Sequence, residues 1–206
     1  MREDGRAERR AEIRAAAYRL LKEQGYQRTS MLAVAKAAKA SNETLYRWYG
    51  DKRGLFRTLA EENAAEIRQA LETAIRDRAD PLASLEAVAP VLLSMLLGEG
   101  PIALNRAAAA DESGDLGAAI AQGGRTAIVP LIETLIRRGI DTGAFHLSDP
   151  REGAEWFVAL LVGDLQIRRA TGVIPEPDPN FIARRVASAA KAFGRLCGLP
   201  ATGAKS

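Results

Sequence analysis

The sequence predicts an all-α protein, in which an N-terminal three-helix unit containing a helix-turn-helix is joined by a long fourth helix to a helical C-terminal region. Apolar residues recur at helical spacing along the chain. Ser, Thr, Asp and Pro stand where helices would begin, and Gly stands where several would end. With 206 residues, 47% of them hydrophobic, the chain can bury a core as one domain or as a small domain fused to a larger one.

The first predicted helix covers residues 8–24. Its apolar residues form a single stripe, and most of its Arg and Lys residues lie off that stripe. Gly25 is expected to end this helix in the left-handed conformation. The second predicted helix starts at Thr29 or Ser30, either of which can cap it, and continues through MLAVAKAA.

A tight turn at KAS leads to the third predicted helix, residues 42–49, which Ser41 is placed to cap. Asp51 can cap a fourth helix, whose apolar face continues to Pro81, so we expect a connecting helix at about 52–78. Two short helices joined by a tight turn, with a longer helix before and after them, form a helix-turn-helix.

The region after Pro81 is also predicted to be helical. We expect a helix bent at Pro90, a short helix within GPIALNRAAAADES, and a helix over 116–138 interrupted at Pro130. Asp149 followed by Pro150 is a strong start signal for a helix that continues through QIRR. Asp178 and Pro179 start the last helix in the same way.

The charge of the chain is divided unevenly. Residues 1–57 carry 14 Lys and Arg against 7 Asp and Glu, a net charge of +7. The remaining residues carry 15 against 19, a net charge of −4. A basic N-terminal part on a mildly acidic body is typical of a segment that meets a polyanion, although a solvated charged face also produces such asymmetry.

Several protein classes are disfavoured by composition. Cys197 is the single cysteine and cannot form an internal disulfide, which favours a reducing, cytoplasmic location. The apolar stretches AVAPVLLSMLLG and WFVALLVG fall short of the roughly 20 residues that a membrane span requires, and the N-terminus lacks the apolar segment of a signal peptide. We therefore expect a soluble protein without a membrane partner.

The third helix carries residues suited to reading a DNA major groove. In a helix-turn-helix, the second short helix enters the groove with its N-terminal residues toward the base edges. Asn42 can pair with adenine, Glu43 can accept from cytosine N4, and Arg47 can reach guanine or a phosphate.

Residues around the third helix are suited to phosphate contacts. Thr44 and Tyr46 offer hydroxyl groups, and Lys52 lies in the first turn of the fourth helix, where free backbone N–H groups can share a phosphate with its ammonium. Trp48 either joins this phosphate-contacting set or packs against the core, and Tyr49 is expected to pack.

The stretch GYQRTSMLAVAKAAKASNETLYRWYGDKRGLF resembles the DNA-binding signature of the TetR family of transcriptional regulators, over residues 13–59. The resemblance implies an all-helical homodimer that binds double-stranded DNA, with a DNA-binding domain at 1–54, a ligand-binding and dimerisation domain at 81–198 and a flexible tail at 199–206. It also implies that Thr29 or Ser30 contacts phosphate. Lys39 stands where the family usually has Gly.

We predict that the helices at 150–170 and 179–197 form a two-fold dimer interface. WFVALLVG is apolar on all sides, which requires burial on two faces, and small residues on the last helix allow close approach. A larger core within one chain is the alternative. The predicted interface residues are Trp156, Leu160, Gly163, Ile182, Val186, Ala190 and Phe193.

The expected ligand is a small, largely apolar inducer. Asn63 interrupts the apolar face of the fourth helix, and a mostly apolar pocket with few polar groups is typical of small-molecule sites. The residues predicted to line the pocket are Asn63, Met95, Asn105, Trp156 and Phe157.

An enzyme is not expected, because His146 and Cys197 are the only histidine and cysteine and no catalytic triad or metal cluster can be assembled from them. No cofactor is expected. The sequence favours a ligand-responsive DNA-binding regulator acting as a repressor. The alternative is a helical small-molecule binding or interaction module whose DNA-binding arm has decayed.

Overall fold

The computed structural model describes residues 3–198 and confirms the all-α prediction, since no strand occurs among the described residues. The predicted tail at 199–206 lies outside them. Within 3–198 the helices are α1 (Glu3–Arg28), α2 (Met31–Ala37), α3 (Asn42–Tyr49), α4 (Lys52–Asn63), α5 (Ala65–Arg76), α6 (Pro81–Leu97), α7 (Glu99–Ala109), α8 (Asp115–Gly123), α9 (Arg125–Asp141), α10 (Pro150–Val162), α11 (Leu165–Ala170) and α12 (Pro179–Leu196).

The helices form two compact units. Residues 3–63 with 99–124 make the first unit, and residues 64–98 with 125–198 make the second. In the first unit α7 packs on α1, and α8 packs along α4. The first unit is therefore larger than the predicted domain at 1–54, because it also contains α7 and α8 from a later part of the chain.

The first unit has its own apolar core, which includes fully buried Ile13, Leu45, Leu55 and Phe56. The predicted helix starts are confirmed. Ser30 Oγ accepts from the Ala33 N–H at 3.1 Å, Ser41 Oγ accepts from the Thr44 N–H at 3.0 Å, and Asp51 Oδ1 accepts from the Gly54 N–H at 2.6 Å. These caps fix where α2, α3 and α4 begin.

Gly25 and Lys39 both have a positive φ near a helix end. Gly25 interrupts α1, so this helix is regular only as far as Gln24, as predicted, but with φ 75° and ψ 175° Gly25 does not take the predicted left-handed helical conformation. Lys39 has φ 51° and follows α2. The Ala40 N–H donates to the Ala35 carbonyl at 2.9 Å and the Lys39 N–H to the Lys36 carbonyl at 3.2 Å, the pattern of a Schellman motif.

The prediction of one long fourth helix is wrong. Ala64, with φ −88° and ψ −1°, separates α4 from α5, and each helix has 12 residues. The Asn63 amide donates to the Tyr18 hydroxyl at 2.8 Å, so the end of α4 is held against α1. The polar residue that interrupts the apolar pattern therefore marks a helix end.

The second unit is built around α5, α6, α9, α10 and α12. Its core includes Phe145, Phe157 and Phe193, whose rings pack edge to face with centroids 5.4 to 6.0 Å apart. Such aromatic pairs stabilise a core beyond their area of contact. Asp149 and Asp178 accept from backbone N–H groups at the starts of α10 and α12, as predicted.

The predicted interruption at Pro130 is wrong, because Pro130 lies inside α9 and the break falls at Gly124. Proline removes a hydrogen bond to the residue four positions earlier. Here that residue, Thr126, is exposed, so water can replace the donor. Just before the break, the chain at Gly123 comes very close to α4, since a Cβ on Gly123 would lie 2.5 Å from the Arg57 carbonyl oxygen.

The helix predicted to run from Asp149 through QIRR is likewise broken, at Gly163, where φ is 52°. Arg185 of α12 reaches this break, donating to the Leu161 carbonyl at 2.9 Å and to the Leu160 carbonyl at 2.7 Å. A cation at a helix C-terminus also interacts favourably with the helix dipole. Arg185 therefore fixes the end of α10 against α12.

No single helix within 3–198 is long and apolar enough to span a membrane. Pro81–Leu97 and Glu99–Ala109 reach the required length and hydropathy only when the two helices are taken together across the bend between them.

Candidate nucleic-acid interface

The short helix α3 has one buried face and one exposed face. Leu45 is fully buried and Tyr49 is buried, and these two side chains anchor α3 on the core of the first unit. The predicted base-reading residues are all exposed, Glu43 and Arg47 on the opposite side of the helix and Asn42 at its N-terminal end. Arg47 lies 4.0 Å from the Glu43 carboxylate. At such exposure this ion pair is weak and easily exchanged for another partner.

The exposed face of α3 has two different flanks, because residues four apart lie on the same side of a helix. Asn42 and exposed Tyr46 lie on one flank. Thr44 and half-buried Trp48 lie on the other. The Thr44 hydroxyl is 2.8 Å from the Ser41 hydroxyl. Hydroxyl or indole donors are thus present on both sides of the predicted reading face.

Trp48 is in contact with two arginines of α1. The Arg6 guanidinium lies 5.5 Å from the centroid of the Trp48 ring, and the Arg10 guanidinium lies 5.9 Å from it. Both distances are within the range of a cation–π interaction. Trp48 also packs edge to face on Tyr49, so the open question of packing or phosphate contact is answered in favour of packing for most of the ring.

Lys52, which was predicted to contact a phosphate, contacts Tyr26 of the same chain in the structure. Its Nζ donates to the Tyr26 carbonyl at 2.9 Å and lies 3.9 Å from the centroid of the Tyr26 ring. Burial lowers the pKa of Lys52, and the carboxylates of Asp111 and Asp115 offset part of that effect. The Lys52 Nζ also lies 3.5 Å from the Gln27 carbonyl oxygen. An ammonium has three donors, so Lys52 can donate to both carbonyls and still offer one N–H outward.

Thr29 and Ser30 differ in the burial of their hydroxyl groups. Thr29 is buried and its hydroxyl donates to the Gly25 carbonyl at 2.8 Å. The predicted phosphate contact by Thr29 is therefore wrong, because its polar atom is directed inward. Ser30 is exposed at the start of α2. Its oxygen accepts from the Ala33 N–H, and its own hydroxyl proton stays available to an acceptor.

A polar network around Asp111 lies beneath this region and was not predicted. The Asp111 carboxylate accepts from the Leu116 N–H at 3.0 Å, from the Ser113 hydroxyl at 2.7 Å and from the Gln27 amide. These hydrogen bonds, the one from Leu116 first, lower the pKa of Asp111 to about 2. Burial, with the carboxylates of Asp115 and Asp111 nearby, raises the pKa of Tyr26 to about 12.

Within the described residues, no group of three or more His, Cys, Asp or Glu side chains is placed to hold a metal ion. His146 is exposed. Cys197 is fully buried, and burial raises the pKa of its thiol to about 11.

The predicted dimer residues fall into two groups. Gly163 is exposed, and Trp156, Leu160, Val186 and Ala190 are half-buried, so they lie at a surface of the second unit. Ile182 and Phe193 are buried. The interface role predicted for Phe193 is wrong, because its ring is only 1% exposed and packs on other aromatic rings of its own unit.

The predicted pocket residues are not brought together in one unit. Asn63 and Asn105 belong to the first unit, whereas Met95, Trp156 and Phe157 belong to the second. Asn63 donates to the Tyr18 hydroxyl, and Phe157 is buried against Phe193.

Comparison with known proteins finds a family match for both the N-terminal and the C-terminal part of the chain. Residues 13–59 match the family model of bacterial regulatory proteins of the tetR family. Residues 83–196 match the model of the C-terminal domain of AefR-like transcriptional repressors. The HTH-type transcriptional regulator HbdR from Aromatoleum sp. (strain CIB) is 47% identical over 45 residues, which are 22% of this chain and 20% of that regulator. The matched segment thus spans only a fifth of that relative's length.

Two solved structures have the same fold. A TetR transcriptional regulator from Agrobacterium tumefaciens is 29% identical, with a TM-score of 0.68, 91% of this chain covered and 93% of that one. The regulator FadR from Bacillus subtilis, solved in complex with stearoyl-CoA, is 18% identical, with a TM-score of 0.66, 89% of this chain covered and 96% of that one.

The two family models cover most of the chain, and one of them alone covers more than half. The helix-turn-helix, the exposed face of α3 and the helical C-terminal region agree with these matches. The chain therefore belongs to the TetR family of bacterial transcriptional regulators.

Proposed function

We propose that this protein is a repressor that binds a pseudopalindromic DNA operator as a homodimer and is released by a small, largely apolar molecule. The observation that carries the proposal is the geometry of α3. Buried Leu45 and Tyr49 fix the helix, while Glu43 and Arg47 on the opposite face and Asn42 at the N-terminal end are exposed to solvent. This is the arrangement that a helix inserted into a major groove requires.

Each exposed residue of α3 has a distinct recognition chemistry. The Asn42 amide would pair with the N6 and N7 edge of adenine, and the Glu43 carboxylate would accept from the amino group of cytosine. Arg47 would leave its weak pair with Glu43 to contact guanine or a phosphate. Glu43 would also repel phosphates, so we expect it to restrict the operators that the protein accepts.

Phosphate contacts would hold the duplex on both flanks of α3. Ser30 and Tyr46 are exposed and offer hydroxyl protons, and Lys52 offers the donor that the Tyr26 and Gln27 carbonyls do not use. Thr44 would act on the opposite flank. These contacts supply affinity and orientation, whereas the base contacts supply the sequence preference.

We place the dimer interface on α10 and α12. These helices pack on each other, and Arg185 ties them together at Gly163. Their outer surface combines half-buried Trp156, Leu160 and Val186 with the exposed small residue Ala187. An apolar surface with small side chains allows two helix pairs to approach closely across a two-fold axis.

Light scattering after size exclusion tests this interface. A dimer has a mass of about 44 kDa, twice the 22.1 kDa of one chain. Ala187→Arg would shift the protein toward the monomer, because a charged side chain would be buried unpaired at the interface. Ala121→Arg, at an exposed position of α8, is the control and would stay dimeric. A wild-type monomer at micromolar concentration would refute the dimer.

The ligand response is assigned to the second unit. Most of this unit lies within residues 83–196, which match the model of a repressor C-terminal domain, and FadR of Bacillus subtilis, which shares the fold, was solved in complex with stearoyl-CoA. Half-buried Met95 and Trp156 give this unit apolar, adaptable side chains suited to such a ligand. The ligand would release the operator by binding better to a conformation whose two recognition helices are wrongly spaced for DNA.

Selection of bound duplexes from a random library by the purified protein tests the whole proposal. We expect a pseudopalindromic motif, because a two-fold dimer reads two equivalent half-sites. The selected duplex then serves as a probe in a screen of apolar small molecules for release. Recovery of no motif would contradict the proposed function. A motif that no ligand releases would contradict only the ligand response.

A further inference from the structure

A basic groove lies on the outer side of α1. Arg6, Arg10 and Arg14 follow one another at four-residue spacing, so they share a face of the helix. Together with Ala7, Ala11 and Glu62 they line a groove of about 430 Å³. Three guanidinium groups and one carboxylate give this groove a net positive charge. Such a surface attracts anions.

The arginines of the groove differ in their partners. Arg14 lies 3.7 Å from the Glu62 carboxylate, which offsets part of its charge. Arg6 and Arg10 lie over the Trp48 ring instead. A guanidinium stacked on an aromatic face keeps its N–H groups in its own plane, free to donate sideways. Trp48 thus limits the motion of two cations without using up their donors.

The location of Trp48 connects this groove to the DNA-reading helix. Trp48 lies one turn after Thr44 on a flank of α3, and Tyr46 lies on the opposite flank. A duplex whose major groove received α3 would carry one sugar-phosphate backbone along each flank, since the groove is only about 12 Å wide. The backbone on the Trp48 side would meet Arg6 and Arg10.

We propose that Arg6 and Arg10, held in position by Trp48, form a phosphate clamp that binds the DNA backbone beside the half-site. This inference rests on the proposed function, because it requires α3 to enter a major groove. The clamp contacts phosphate oxygens and no bases, so it adds affinity for any sequence and leaves the choice of operator to α3. Planar guanidinium groups suit this task, because they bind phosphate through two parallel hydrogen bonds.

The test is the salt dependence of binding to the selected operator, measured by fluorescence anisotropy. Each phosphate contact contributes a slope of about −0.9 in log K against log salt. The double variant Arg6→Ala/Arg10→Ala should therefore bind several-fold more weakly and lose about two units of slope. The control is Arg19→Ala/Lys22→Ala, which removes two exposed charges from another side of α1. It should keep most of the wild-type slope.

A third variant isolates the positioning role of Trp48. Trp48→Leu keeps both arginines, so it should keep most of the salt slope while weakening binding, because the cations are no longer held in place. Circular dichroism and a urea unfolding curve establish that each variant folds before it is compared.

The possible outcomes are distinct. If the wild-type chain binds its operator and the double variant has the same slope as the control, the phosphate clamp is refuted and the proposed function stands. A changed base preference beside the half-site with an unchanged slope would refute phosphate contact in favour of base contact. If the wild-type chain binds no DNA, the proposed function and the clamp are refuted together.

Discussion

Arg9 Nη1 donates to the carbonyl oxygen of Lys39 at 3.3 Å, and also to that of Ala38 at 3.2 Å. Lys39 is the left-handed residue of the turn between α2 and α3. A cation at these carbonyls satisfies acceptors that the end of α2 leaves unpaired. The first helix therefore fixes the turn that directs α3, through a contact made 30 residues away in the sequence.

The strain at Lys39 can be measured by substitution. A side chain in the left-handed region costs roughly 1–2 kcal/mol, and glycine avoids this at a smaller entropic cost. Lys39→Gly should therefore raise the free energy of unfolding by about 0.5–1 kcal/mol in urea denaturation. Lys36→Gly, one turn earlier inside α2, should instead lower it by a similar amount. Equal effects of the two changes would show that Lys39 is not strained.

Gly54 is predicted to be essential for the position of α3 on α4. A Cβ at Gly54 would overlap the carbonyl oxygen of Tyr49, the last residue of α3. Gly54→Ala should therefore lower the unfolding free energy by about 1–3 kcal/mol, as overpacking does, and weaken DNA binding. Gly117→Ala in α8 meets no atom within 4 Å and should be neutral or stabilising. A Gly54→Ala protein as stable as the wild type would contradict this packing.

The Asp111 network predicts a defined acid sensitivity. The native pKa of about 2 lies below the ordinary value of 3.8, so the ionised carboxylate stabilises the folded state. That stabilisation is complete above the unfolded-state pKa and is lost as the pH falls from about 4 toward about 2. Asp111→Asn should therefore be less stable than the wild type at pH 7, and the difference should shrink through this window. Urea curves at pH 2.5, 4 and 7 measure it, and a constant difference would contradict the assignment.

The roles proposed for Asn42 and Lys52 predict different changes in DNA binding. Asn42→Ala should relax the preference at one base pair of each half-site, at a cost of about 1–3 kcal/mol on the preferred sequence. Lys52→Ala should weaken binding about equally on all sequences and reduce the salt slope by about 1. It should also lower stability, because the bond to the Tyr26 carbonyl is lost. Repeating the duplex selection with each variant tests this, and the reverse pattern would mean that the two roles are exchanged.

Local features of the fold could be predicted from the sequence, and contacts between distant residues could not. The caps at Ser30, Ser41, Asp149 and Asp178 were predicted because a cap depends on neighbouring residues alone. The family resemblance placed Lys39 where Gly is usual, and only the structure shows that Lys39 takes the left-handed conformation there. The contacts of Trp48 with α1 leave no signal in the local pattern, since they require the helices to be packed.

The misplaced helix breaks have a related cause. Pro130 is a strong breaker in sequence terms, but the carbonyl that loses its donor there belongs to exposed Thr126, so α9 continues through it. The helices instead break at Gly124, close to Pro130, and at Gly163, within the segment predicted as one helix from Asp149 through QIRR. At Gly163 the partner is Arg185, 22 residues later in the sequence, so only the folded structure shows why the helix ends there.

The candidate site was predicted in part. The exposed face of α3 follows from helical periodicity once Leu45 and Tyr49 are assigned to the core. Thr29 was assigned to a phosphate contact from its position in the family pattern, and burial of its hydroxyl against Gly25 excludes that role. Neighbouring hydroxyl residues cannot be told apart without knowing which way each side chain is directed.

Hydroxyl-radical footprinting of the selected operator tests the central claim most directly, namely that two α3 helices related by a two-fold axis read the DNA. We predict two equivalent protected patches whose centres are one helical turn, about 34–36 Å, or a multiple of it apart. A single protected patch, or uniform protection along the duplex, would contradict the account.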